Sequence, residues 1–275
     1  MQYGMPTLVE NSVLEENLSL CRKLGLSFIE LNMNFPEYGI DTLEKTEALI
    51  SAGEQNGIYY TIHLDETFNP ADFNPLVRKA YLETAERTIE AAKKLVPLKD
   101  RFGDPSQPVT INMHMHHGIH VTLPDRKVQM YDRNFDVYMD CFRSFIAFCE
   151  ERIGDSDVAI TVENTEGFKA FEQQAVDLML KSPVFLLTWD IGHSKAEGEG
   201  DVPFILARKD RLKHFHIHDG RENPHANHLA LGDGEIDIAA RLSLAEDLGA
   251  RCVLETKTVA ALEHSVEWLK QHNFK

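Results

Sequence analysis

The chain has 275 residues, 43% of them hydrophobic and 26% charged, and a formal net charge of −16 from 44 acidic against 28 basic residues. Such proportions suit a soluble globular protein with a large core, and the acidic balance repels polyphosphate, which makes nucleic acid an unfavoured partner. Cys21, Cys141, Cys149 and Cys252 form no C-x-x-C pair, no basic-then-apolar leader opens the chain and no apolar run reaches membrane-spanning length, so a cytoplasmic protein with reduced thiols and no membrane partner is expected.

In chain order, residues 3–8 read as a first strand, and Ser12 as the cap of a helical pattern (Val13, Leu14, Leu18, Leu20, Cys21, Leu24) that Gly25 ends. FIELNM at 28–33 is a second strand, followed by a helix over about 42–55 closed by Gly57, and 59–64 is the third strand. A loop over 65–75 precedes a helix rich in Ala, Glu and Lys over 76–95, and 97–108 breaks structure before the fourth strand, VTINMHM. Residues 116–133 read as the longest irregular stretch, a candidate lid or binding loop. A helix over 135–152, a strand closing on Glu163, a helix over 171–181, a strand over 184–189 and a short helix over 202–209 follow. Strand 212–218, a second long loop over 218–237, a helix over 236–248, a last strand over 251–255 and a helix to about 271 complete the chain.

Strands alternating with helices predict parallel pairing through right-handed crossovers. About eight such units, with no Gly-rich dinucleotide fingerprint after the first strand, predict an α/β protein, a (β/α)₈ barrel forming one domain over 1–275. In such a barrel the carboxyl ends of the strands share one face, where active sites lie. Apolar runs here close repeatedly on metal-capable side chains: His63, His114, Glu163, Asp190, His216 and Glu255. The last four close consecutive strands; each alone reads as readily as a cap for the following helix, and all four together point to a shared cation. Asp190 and His193 form a D-x-x-H pair across a turn, and His214, His216 and His218 alternate so as to share one strand face, where only one stands level with the other ligands. His63 and His114 read equally as a second metal site beside Glu163 or as pocket lining, and His116, His117 and His120 as an incidental weak metal binder.

ENTEG at Glu163, TWDIGH at Asp190 and His193, HIHD at His216 and LET at Glu255 resemble the marker segments of the xylose isomerase-like barrel superfamily, which includes ketose 3-epimerases, inosose dehydratases, hydroxypyruvate isomerase and endonuclease IV. The resemblance implies one divalent ion (manganese, zinc, cobalt or magnesium) on Glu163, Asp190, His216 and Glu255, with His193 and Arg221 on substrate oxygens. It nominates Glu163 and Glu255 as the proton-transferring pair of a sugar or polyol isomerase or epimerase working through an enediolate; a homo-oligomer is possible. His228 joins the substrate-binding set, and Lys257 either holds a terminal oxygen, carboxylate or phosphate or is a solvated surface lysine. ENTEG, NMH at His114 and His63 are similar to the endonuclease IV branch, implying a second ion; that branch's third site needs a D-x-H pair, and Ala226 stands two before His228. A zinc phosphodiesterase and a dehydratase of a cyclic polyol or keto acid are therefore the alternatives.

Overall fold

A computed structural model describes residues 1–223 and 226–275; within the loop over 218–237, Pro224 and His225 lie outside the described residues. Eight strands form the sheet: β1 (Tyr3–Pro6), β2 (Phe28–Asn32), β3 (Tyr59–His63), β4 (Val109–His114), β5 (Val158–Glu163), β6 (Phe185–Asp190), β7 (Leu212–Ile217) and β8 (Arg251–Leu254). Each pairs in parallel with its neighbours in sequence, and β1 pairs with β8, so the sheet closes into a barrel. Helices on the outside cover the strands, as the alternation of apolar runs and amphipathic segments requires. The strands are buried almost throughout because both faces are packed, the inner one by the barrel's own side chains.

Register brings the strand ends level. His114 stands opposite Glu163, and Asp190 opposite His216. The second pairing depends on a register shift between Leu187 and Thr188, after which Thr188 faces His214 in place of Lys213. A one-residue slip reverses which side chains share a face, so this bulge is what sets His216 beside Asp190.

Four local expectations need correction. Ser12 does not cap the first helix, Leu14–Lys23; its N-cap is Val13, and Glu16 reaches back to accept from the Ser12 and Val13 backbone N–H groups. Proline does not end the helix after β3, which runs from Pro75 to Phe102 through Pro97. Pro97 lies on the exposed face, and burial of Leu95, Leu98 and Lys99 on the other offsets the lost hydrogen bond. The stretch over 116–133 is not irregular: His120–Thr122 pairs antiparallel with Lys127–Gln129 around a Pro-Asp turn, and Met130–Arg133 is a helical turn. The helix expected over 202–209 stops at Leu206, with a separate 3₁₀ turn at Lys209–Arg211.

The loop after β7 is closed at its stem by one side chain. The buried Asp219 carboxylate accepts from the backbone N–H groups of Gly220, Gly232, Gly234 and Ile236. A Cβ on Gly234 would lie 2.2 Å from Asp219 Oδ1, so only glycine admits that approach. All four cysteines are buried free thiols. Among the described residues no helix is long and apolar enough to cross a membrane.

Candidate metal centre and active site

At the carboxyl ends of the strands, Glu163, Asp190, His216 and Glu255 each offer one ligand atom, and these four atoms lie within 4.8 Å of one another. Positions spread over more than ninety residues thus meet at one point, which is what direct coordination at about 2 Å per ligand needs. His216 Nδ1 stands 3.0 Å from Glu255 Oε2, 3.3 Å from Glu163 Oε2 and 4.0 Å from Asp190 Oδ2. Three buried carboxylates around one imidazole are a costly arrangement without a cation to share. Glu163 Oε1, Glu255 Oε2 and both ring nitrogens of His216 are buried without an aligned hydrogen-bond partner, so the donor set fits a divalent ion, with hard oxygens and one borderline nitrogen.

Neighbouring groups hold these side chains. One step deeper in the barrel, Thr161 and Thr188 donate to Asn112 Oδ1 at 2.9 and 2.7 Å, which fixes the amide so that its nitrogen donates to Glu163 Oε2. Asn164 accepts from the Asp190 backbone N–H and donates to Asp190 O, Ser194 Oγ and Asp201 Oδ2. Asp190 also caps the short helix Ile191–Ala196, accepting from His193 N. His218 Nε2 stands 3.0 Å from both Asp190 oxygens, close enough only if that nitrogen carries a proton. Its ring packs over Gly192, where a Cβ would fall 1.9 Å from His218 Cε1. The D-x-G-H turn therefore needs its glycine.

Burial works to raise the carboxyl of Glu163, but His216 and His114 beside it hold it well below the usual range. Glu255 is likewise raised by burial and lowered further by Lys257 and His216. Burial lowers the His193 imidazole, yet Asp190 and Glu163 push it up to about 10. For His228 burial and the neighbouring His218 act together and push it down to about 3. The carboxylates are thus held ionised, with the positive charge of His193 beside them in the position a cation would share.

Above these residues opens a cavity of about 780 Å³, lined in part by His63, His114, His193, His228, Glu255 and Lys257. His63 and His114 each place Nε2 3.4 Å from Glu163 Oε2, and His63, Glu163 and His216 form a second set of atoms within 4.8 Å. Lys257 is half-exposed and donates to Glu255 Oε1 at 2.7 Å, so it borders the site without being buried in it. His228 adopts a left-handed backbone, with φ of 52°, and its Nδ1 lies 3.0 Å from Glu255 O. Arg221 is not brought to the cavity: it is exposed and its guanidinium donates to Asp233 O. His117 pairs with Glu172 and Glu166, and with His116 lines the cavity wall.

Sequence reasoning missed Glu30, which lies under His216 inside the barrel, and the Asn112 and threonine layer. Glu30 sits within the apolar-looking run FIELN, where a half-exposed strand would place it in solvent; only closure of the barrel turns it inward. Carboxylates at the rim, Glu66, Glu166 and Glu197, were missed as well.

A family model described as xylose isomerase-like TIM barrel matches residues 18–272. No curated protein matches the chain. Among solved structures, 3-keto-D-glucoside 4-epimerase of E. coli superposes with a TM-score of 0.73 at 16% identity, over 98% of this chain and 99% of that one. D-psicose 3-epimerase of Clostridium cellulolyticum H10, solved with D-tagatose, gives 0.69 at 15% identity over 100% and 99%. An L-ribulose 3-epimerase gives 0.69 at 17% identity over 98% and 94%. At these identities the likeness is one of fold.

Proposed function

This chain belongs to the xylose isomerase-like TIM barrel family, and from that premise we propose that it is an enzyme that isomerises or epimerises a sugar, sugar phosphate or polyol beside a keto group, using one divalent cation. The observation that carries the reading is the meeting of Glu163, Asp190, His216 and Glu255 beneath a cavity large enough for a sugar, which Glu255 lines. Those four would hold the ion, which when bound supplies Lewis acidity toward the substrate carbonyl.

The chain's own groups move the proton. Glu163 and Glu255 approach His216 Nδ1 from two different strands, so two carboxylates stand beside the point where a substrate carbonyl would meet the ion. One removes the proton beside the carbonyl as general base and then gives it up to water, while the other, having taken a proton from water, delivers it to the carbon as general acid. Asn112 holds Glu163 in place, and Lys257 keeps Glu255 ionised and ready to accept. His63, His114 and His193 face the cavity, where they orient substrate hydroxyls. That three structural neighbours are epimerases of keto sugars supports the reading.

Incubation with a panel of ketoses in deuterated water tests it: deuterium enters at the carbon beside the carbonyl of the true substrate, and no exchange across a broad panel overturns it. Loss of water from the product, in place of a rearranged sugar, would mark a dehydratase working through the same residues. One specific observation favours a second reading. His63 and His114 flank Glu163 Oε2 closely enough for a second ion, as a zinc phosphodiesterase would use. Two zinc ions per chain and cleavage of a phosphodiester would establish that chemistry, whereas one ion per chain supports the isomerase.

A further inference from the structure

Glu30 is the least expected charge in the molecule. It sits on β2 inside the barrel, 1% exposed, below the four residues of the candidate metal centre. A buried carboxylate is costly to desolvate, and an apolar residue of similar volume at such a place is often neutral or stabilising. Stability alone therefore does not explain it.

Its contacts divide between its two oxygens. Oε2 accepts from Thr61 Oγ1 at 3.0 Å and stands 3.0 Å from His214 Nε2. His214 has no partner on Nδ1, so its proton belongs on Nε2, facing Glu30. Oε1 is left for one neighbour, His216 Nε2, 2.8 Å away. Two lone pairs do not face each other at that distance, so the proton belongs on Nε2, although the approach is off the ring's N–H axis. On the opposite edge of the same ring, Nδ1 faces Glu163 and Glu255.

We propose that Glu30 is the positioning residue of the metal centre: from inside the barrel it holds the Nε2 edge of His216, so that this imidazole presents only Nδ1 to the ion shared with Glu163, Asp190 and Glu255. Carboxylates that take the far N–H of a ligating histidine fix its tautomer and raise its basicity, and removing them weakens metal binding about 10–100-fold. His214 and Thr61 act on Glu30 in turn, by occupying Oε2 and leaving Oε1 to His216. The inference rests on the metal-binding reading of the site.

The test uses the full chain loaded with Zn²⁺. Nitrogen-15 shifts of the His216 ring should show Nε2 protonated and Nδ1 bound to zinc; coordination through Nε2 overturns the proposal without need of any variant. Glu30→Gln should raise the Zn²⁺ dissociation constant, read by chelator competition, about 10–100-fold. Thr110→Val, at a buried residue of β4 whose hydroxyl has no partner among the described residues and does not touch Glu30, should leave the constant within a few fold of the parent. A Glu30→Gln chain that unfolds earlier yet binds zinc as the parent does, with unchanged His216 shifts, shows a merely structural role and overturns the proposal. If the parent itself takes up no zinc, the metal reading falls and Glu30 with it; if only the variant's affinity fails to move, the metal reading stands alone.

Discussion

The two ends of the barrel interior bury charge in opposite ways. At the amino-terminal end Arg251, 1% exposed, lies over the stacked rings of Phe28 and Tyr59 and donates to Gln107 Oε1 and Pro108 O at 2.8 and 2.7 Å. Lys99, equally buried, pairs nearby with Asp157. Of the Arg251 guanidinium nitrogens, Nη1 lacks a partner among the described residues. At the carboxyl end three carboxylates and an imidazole crowd together with four buried atoms left unaligned. One end is arranged to satisfy itself, the other to be completed from outside, the division between stability and chemistry expected of this architecture.

If that contrast holds, substitutions at the two ends should separate activity from stability. The largest effect should come from Glu163→Gln, which keeps the shape and removes the base: kcat should fall roughly 10²–10⁴-fold while the thermal midpoint stays near the parent's. A variant that unfolds early, or that turns over normally, breaks the comparison. Next, saturation with Mn²⁺ or Zn²⁺ at about 100 times the dissociation constant should stabilise the chain by about 2.7 kcal/mol, or roughly 5–10 °C by differential scanning calorimetry, and chelation should reverse it. Absence of any shift would say that the carboxyl end needs no ion.

The floor gives the converse. Arg251→Leu strands Gln107 Oε1 and should cost about 1–3 kcal/mol in urea unfolding, with the ion-induced shift and kcat both unchanged. Loss of activity at equal stability would join the two ends that the structure separates. The smallest effect is expected at Arg221: its guanidinium is committed to Asp233 O outside the cavity, so Arg221→Ala should change kcat/KM by no more than about twofold. A much larger loss would mean that Arg221 reaches substrate, as family resemblance implies.

Much of this was legible because a closed parallel sheet turns strand order into geometry. Apolar runs ending on Glu163, Asp190, His216 and Glu255 specify both the barrel and the ring of residues at its mouth. What could not be read depends on which way a strand's side chains face. Glu30 and Asn112 look like single polar residues in apolar strands, and only the curvature that places them inside makes them partners of His216 and Glu163. The bulge between β6 and β7 is equally silent, since its cause is a register choice between distant segments. Pro97 reads as a break because its local penalty, about 3 kcal/mol within a helix, is visible in the sequence, whereas the tertiary burial of Leu95, Leu98 and Lys99 that offsets it is not. The hairpin over 120–129 did carry a signal, Pro124-Asp125 between Val121 and Val128, which the density of histidines concealed.

Asp219 has a consequence for how this barrel could diversify. Because one carboxylate ties residues 220, 232, 234 and 236 together at the root of the loop, changes between them at positions other than His228 and Leu229 need not be transmitted to β7 or to His216. Lengthening that segment costs only a slowly growing closure entropy. The loop is in effect a cassette, exchangeable for one of different reach and chemistry so long as His228, which reaches His218 and Glu255, is kept.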